Sequence, residues 1–280
     1  MPFIRTLANG DPQIIKDVAF CTLLNGQLPD DDFLISNLLD QMDAEIKVRE
    51  PRVKSGALGN SHGDWYEWLL AISAWNTFVR NPAANLAMLL PNITRFDVAR
   101  LYTDDLFELI LDLRAKVLET SQVQLITSNP DFVIVNRDLA NQVLGNVNPI
   151  IDVTPEALTF LQNLFTNFVG LCGFTQIYGY MSVKTSFRPD RRLQIPHEGS
   201  LTKAIYTHLQ TRKWIINPPG LKYYAIATSV GAPDRDALKT VATHSITTVS
   251  SLPQAAVDDV FEINSLRRAY EVFERILTTV

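Results

Sequence analysis

In the first half of the chain, apolar residues recur three and four positions apart, the spacing of helices that turn one face inward. "DDFLISNLLDQMDAEIKV" and "DDLFELILDLRAKVLE" both carry this pattern, and "PQIIKDVAFCTLL" predicts another helix. "DWYEWLLAISAWNTFVR" predicts the strongest, ending near Asn81-Pro82 because proline denies a continuing turn its amide. The polar, glycine-containing "REPRVKSGALGNSHG" before it predicts a loop.

The period shortens toward two in the second half. Asn129-Pro130 breaks "VQLITSNPDFVIV" into two β-rich runs, and "FVIV" has the unbroken apolar character of a strand buried on both faces. "YGYMSVKTSF" alternates, while "LKYYAIATSV" and "LKTVATHSITTV" are strand-like. Helix returns at "PEALTFLQNLFTNFVG" and closes the chain at "AVDDVFEINSLRRAYEVFERIL". The pattern predicts an α/β class, with a mixed central β-sheet flanked by helices and a helical N-terminal part. Residues 1–60 are expected to form that helical subdomain and residues 61–280 the main domain.

The longest apolar runs, "WLLAISAW" and "FVIV", fall short of the ~20 residues of a membrane span. "MPFIRTLANGDP" lacks the basic flank and apolar core of a secretory signal. Cys21 and Cys172 stand far apart in apolar surroundings, as buried thiols of a cytoplasmic protein do, and build neither a zinc knuckle nor a disulfide framework. No glycine-rich phosphate loop is present, so no nucleotide cofactor is expected. Charge changes the picture more. The formal net charge is −5, yet residues 181–224 carry eight Lys/Arg against Asp190 and Glu198. That is +6 in one segment and −11 on the remainder, the distribution of a basic DNA cleft on an acidic body.

The same segment holds the candidate chemistry. In "YMSVKTS" a period of two puts Tyr180, Ser182 and Lys184 on one strand face. An unpaired lysine on a central strand is costly, and Asp131, heading "FVIV", is the candidate anion. A purely structural Asp–Lys pair would satisfy the same need. Glu198 follows Pro196, a residue suited to the first turn of a helix, and shares a stripe with Leu201, Ile205, His208 and Leu209. Facing inward at a helix N-terminus, it is favoured as the anion by the helix dipole, whether as a cap or as a magnesium ligand. Ser182 occupies the position where a nuclease metal site would carry a carboxylate, and Glu198 is the candidate replacement. Glu67 in "DWYE" fits a capping box begun by Asp64, three residues earlier. "RPDRR" sets two arginines around an aspartate in a short turn, matching the donors and acceptors of G·C pairs, although surface ion pairs use the same residues. His197 reads as a polar contact at a helix start and His208 as a hydrogen-bonded core histidine; His244 has no assigned role. Trp65, Trp68 and Trp75, at helical spacing, read as packing.

"NPD", "SVK", "FRPDRR" and "HEGSL" together resemble the type II restriction endonucleases that cut purine-CCGG-pyrimidine sites, the CCGG group of the PD-(D/E)xK nuclease superfamily. The likeness fills residues 182–210, continues through "YYAIATSVG", "LKTVATHSIT" and "SLPQAAVDDVFEINS", and includes "GDWYEWL" and "LITSNPDF" upstream. It implies a restriction-endonuclease-like core, with residues 61–280 as the catalytic and DNA-recognition domain. It implies that Asp131 and Glu198 hold Mg²⁺, with Mn²⁺ as a substitute, and that Lys184 orients or deprotonates the attacking water. Glu67 becomes an additional acidic residue of the site rather than a cap. Arg188, Asp190 and Arg191 would read CCGG, and Trp214 would lie in an oligomer interface. A homodimer or homotetramer would then cut double-stranded DNA at R^CCGGY, leaving 5′ overhangs with 5′-phosphates. Two other functions fit the basic segment: a non-catalytic sequence-specific DNA-binding protein, and a repair or recombination nuclease on the same scaffold. A pure binder gains nothing from carboxylates beside phosphate, and a structure-specific nuclease needs no base-reading turn.

Overall fold

The computed structural model describes residues 3–125, 129–247 and 253–279. The chain opens with a small antiparallel pair, β1 (Ile4–Thr6) and β2 (Pro12–Ile14), so the first expected helix begins only at Lys16. α1 (Lys16–Leu23) and α2 (Ile35–Arg49) follow. α3 then runs from Ser55 to Arg80 and takes in most of the expected loop. Gly56, Gly59 and Gly63 each weaken a helix by about 1 kcal/mol, which is why the sequence reads as a loop there. Burial of Leu58, Trp65, Tyr66 and Trp68 on one continuous helix overrides that local preference. Residue 60, the expected subdomain boundary, lies inside α3. The helix stops where expected, at Asn81-Pro82.

Five strands form the main sheet. β3 (Leu86–Leu89) pairs antiparallel with β4 (Phe132–Val135), and β4 with β5 (Ile177–Lys184). β6 (Lys222–Ala227) and β7 (Asp259–Glu262) continue the sheet in parallel, in the order β3-β4-β5-β6-β7. All of β3 and β4 is buried, as "FVIV" predicts, and β5 is the central strand. Helices flank the sheet. α4 (Asp104–Ser121) lies between β3 and β4, and α5 (Arg137–Leu144) and α6 (Pro155–Asn163) lie between β4 and β5. α7 (Pro189–Arg212) crosses from β5 to the parallel β6, and α10 (Leu266–Thr278) returns to pack on α3.

Three local readings are corrected. "LKTVATHSITTV" is no strand where it is described: α8 (Ala232–Leu238) ends at its start and α9 (Thr243–Thr247) occupies its second half, with residues 248 and 249 outside the described residues. The expected C-terminal helix is preceded by β7, because "DVFE" pairs with β6. The first run of "VQLITSNPDFVIV" forms no strand over residues 123–125, and residues 126–128 lie outside the described residues.

α7 begins at Pro189, not Pro196, and Pro196 sits inside it. Both prolines suit a first turn, but an interior one removes a helix hydrogen bond. Packing holds the helix through that position. Gly199 lies so close to the neighbouring backbone that a Cβ there would stand 2.3 Å from the Ala256 carbonyl oxygen and 3.1 Å from the Tyr223 ring. Gly199→Ala should therefore push α7 off the sheet and destabilise the protein by about 1–3 kcal/mol, read as a lowered midpoint in denaturant unfolding. An unchanged midpoint would show that the backbone yields without cost.

Candidate active site

The antiparallel register sets the centre of the site. Phe132 pairs with Met181, which brings Asp131, one residue before β4, level with Ser182. Asp131 Oδ2 accepts from Lys184 Nζ at 2.7 Å, from the Val183 N–H at 2.6 Å and, weakly, from the Ser182 hydroxyl at 3.4 Å. Among the described residues no hydrogen bond falls on Oδ1. Asn129 fixes the approach to this point. Its amide donates to the Pro91 and Phe96 carbonyls at 2.8 and 2.7 Å and accepts from the Val98 N–H at 3.1 Å. The "NPD" triplet is thus a bracket: Asn129 ties the loop and Asp131 presents the carboxylate.

Glu67 stands beside this pair, well inside α3, so the capping-box reading fails. Asp64, the supposed cap, forms an ion pair with Lys16. Among the described residues Glu67 has no hydrogen-bond partner. It lines an open cleft of about 680 Å³ together with Asp131, Asp64, Lys16 and Arg95. Burial first, then the charge of Asp131, pushes its carboxyl well above the usual carboxylate range, against the opposing pull of Lys184.

Glu198 is buried, and both its oxygens are engaged. Oε2 accepts from the Tyr223 hydroxyl at 3.0 Å and Oε1 from the Gln194 amide at 2.7 Å. Tyr223 also neighbours Ser182, whose hydroxyl faces Asp131, so the tyrosine and the serine lie between Glu198 and Asp131. Because α7 starts at Pro189, Glu198 lies in the third turn, beyond the reach of the helix dipole. Tyr223 and Gln194 provide the polar contacts instead. Glu198 and His197 also line a second hollow of about 360 Å³ with Tyr180, Ile110 and Ile205.

The donor set tests whether a metal fits. Among the described residues no three His, Cys, Asp or Glu side chains form a ready-made cage. What is present is oxygen-only: Asp131 with Oδ1 open, Glu67 with no hydrogen bond at all, and Glu198 across the Tyr223 link. That arrangement fits a hard divalent ion, which keeps several waters and takes one or two carboxylates plus substrate oxygens. It does not fit zinc, which favours Cys and His.

The chain matches the family model described as "Cfr10I/Bse634I restriction endonuclease" over residues 18–279. The type II restriction enzyme Cfr10I of Citrobacter freundii is 42% identical over 269 residues, 95% of this chain and 94% of that one. The chain belongs to the Cfr10I/Bse634I restriction endonuclease family. Its fold agrees with two solved structures, Bse634I restriction endonuclease and Bse634I with cognate DNA. Each has a TM-score of 0.87 at 32% identity, covering 99% of this chain and 98% of the other. The protein is therefore a type II restriction endonuclease, a site-specific deoxyribonuclease that cleaves DNA.

In this Cfr10I/Bse634I-family enzyme the expected basic cleft looks different from its sequence. Each of the eight cations of residues 181–224 meets a carboxylate: Lys184 meets Asp131, Arg188 and Arg191 meet Asp190, and Arg192 meets Asp234. Lys203 and Lys222 meet Asp258, Arg212 meets Asp112, and Lys213 meets Asp105. Lys203 is buried, only 3% exposed, and its burial lowers its ammonium pKa, so it is structural rather than a DNA contact. "RPDRR" is no free turn: Arg188 caps α7, and Asp190 and Arg191 occupy its first turn. Arg188 and Asp190 are exposed there. Trp214, 90% exposed, follows the end of α7 with φ +54°.

Trp65, Trp68 and Trp75 are buried, as read, and His208 is half-buried against the Leu109 carbonyl. Cys172 is buried and Cys21 half-buried, and burial pushes their thiols up to about 12 and about 11. No helix of the described residues is long and apolar enough to cross a membrane. The sequence reading missed Tyr223 and Gln194. The period of two in "KYYAIA" could have put Tyr223 on the same face as Ala225 and Ala227; nothing local marks Gln194.

Because Glu67 has a raised folded-state pKa, ionising it opposes folding at pH values above its unfolded value of about 4.3. Glu67→Gln should therefore raise Tm at neutral pH in EDTA, and the gain should shrink as pH falls toward that value. A divalent ion should raise Tm of the wild type more than that of the variant. A variant no more stable than wild type at neutral pH would contradict the burial argument.

Proposed function

We propose that this endonuclease cuts double-stranded DNA at R^CCGGY, before the first C, leaving 5′ overhangs with 5′-phosphates and 3′-hydroxyls. The observation that carries this reading is the Asp131–Lys184 pair opening onto a cleft that also holds Glu67, unpartnered among the described residues, directly before an Arg-Pro-Asp-Arg helix start whose Arg188 and Asp190 are exposed. In this reading Asp131 and Glu198 hold Mg²⁺, with Mn²⁺ as a substitute, and Glu67 adds negative charge beside them. The ion would supply Lewis acidity at the phosphate and lower the pKa of bound water. Lys184 keeps its ammonium on Asp131 and orients the attacking water, with Nζ protons left to meet the phosphate. Tyr223 holds Glu198, a role consistent with Ser182 standing where a strand carboxylate would otherwise be.

Base reading falls to the start of α7. Arg188 and Arg191 each have the planar fork that bonds guanine O6 and N7, and Asp190 can accept from a cytosine amino group. Each good pair discriminates by about 1–3 kcal/mol. A palindromic site calls for a two-fold assembly, so the active form is a homodimer, or a homotetramer of two such dimers, working in the cytoplasm. Trp214 and the exposed Ile216 make an apolar projection beyond α7 where copies can meet.

Sequencing the ends of plasmid fragments cut with Mg²⁺ should give one palindrome, a cut before its first C and a four-base 5′ overhang (CCGG). Random nicks, or another palindrome, would refute the reading. Lys184→Ala should reduce cleavage beyond detection while Ca²⁺-supported DNA binding persists; a variant that still cuts removes Lys184 from the chemistry. Trp214→Ala should lower the mass seen in sedimentation, and an unchanged profile would place the interface elsewhere.

A further inference from the structure

Three polar side chains on α7 form a chain that the roles above leave unexplained. Arg191, Gln194 and Glu198 are spaced three and four residues apart and so share one face of the helix. The Arg191 guanidinium donates to Gln194 Oε1, and Gln194 Nε2 donates to Glu198 Oε1 at 2.7 Å. Glu198 Oε2 is held by Tyr223, which touches Ser182 beside Asp131. One amide therefore connects the start of the helix to the carboxylate below it. A carboxamide presents its acceptor and its donors on separate atoms of one uncharged group, and Gln has a longer reach than Asn. Gln194 itself is exposed, so its polar neighbours, rather than packing, set the orientation of the amide.

We infer that Gln194 is a positioning residue that makes release of Glu198 depend on base reading by Arg191. The inference rests on the roles proposed above for Arg191 and Glu198. In the free protein Arg191 anchors the acceptor end of the amide, and the donor end keeps Glu198 Oε1 engaged. A guanine that takes the Arg191 fork removes the anchor, the amide turns, and Oε1 becomes available to the ion. A wrong base leaves Arg191 on Gln194 and Glu198 engaged. Specificity then has two stages, one in binding and one in cleavage.

The test uses the full chain with Gln194→Met, which keeps length and helix preference but removes both polar ends. Binding in Ca²⁺ and single-turnover cleavage in Mg²⁺ are measured on the cognate duplex and on duplexes with one G·C pair replaced. The expected result is a cognate-to-substituted cleavage ratio reduced about tenfold or more, the value of one hydrogen bond to a charged group, with the binding ratio unchanged. Gln194→Glu, which keeps the acceptor but cannot donate to Glu198, should lose discrimination likewise. Wild-type cleavage discrimination in either variant overturns the coupling, as does a loss of cleavage equal on every duplex, which would mark a merely structural contact. Arg191→Ala and Glu198→Ala separate the two failures. If Arg191→Ala leaves base preference intact, or Glu198→Ala still cuts, the underlying roles fail; if both behave as proposed and Gln194→Met does not, only the coupling falls.

Discussion

A lysine at the end of the central strand of a buried sheet requires an anion, and the site is organised around that requirement. Lys184 meets Asp131 where both side chains keep about a fifth of their surface in water, 22% and 19%. Deeper in the sheet the pair would face a desolvation cost comparable to its attraction; at the strand end it keeps contact with water and stays reachable. The register of β4 on β5 delivers the aspartate to the lysine, and Asn129 ties down the loop that leads to it. Removing either ion would leave the other half-buried without its partner, which costs more than the pair contributes.

The second carboxylate reaches the same place by a different route. α7 leaves β5, turns through four residues, and returns over the strand face that carries Tyr180, Ser182 and Tyr223. Its closeness depends on Gly199, where the helix meets the Ala256 backbone, so Glu198 comes within reach of the Tyr223 hydroxyl. The tyrosine and the serine lie between the two carboxylates, and Glu67 approaches from α3 with no hydrogen bond among the described residues. Three separate elements thus bring acidic groups toward one region, the region proposed above to hold a divalent cation.

What the chain reveals by inspection follows the range of the interactions. "FVIV" and the alternation through Lys184 are legible because strand period and burial act over a few residues. The Asp131–Lys184 pairing is legible because an isolated ammonium on a strand is too costly to leave alone. The start of α7 is not, because Pro189 and Pro196 satisfy the same local rule and the choice is made by contacts at Gly199. The character of the basic segment is hidden for the same reason: Arg212 and Lys213 find Asp112 and Asp105 a hundred or more positions away. Gln194 carries no local mark, and the strand period marks only the face of Tyr223, not its contact with Glu198 on another element.

That neutralisation of the basic segment has a bearing on how the enzyme searches a genome. A passing duplex meets a surface whose cations already hold anions, on a protein of net charge −5. Replacing a carboxylate by a phosphate exchanges one anion for another, so under the proposed roles this segment would add little grip on random sequence. In the proposed base reading, guanine edges would offer the Arg188 and Arg191 forks something a carboxylate does not: two acceptors at fixed spacing, met simultaneously. On that reading, dwell time at a site, rather than the frequency of collisions with DNA, would decide where the enzyme stops.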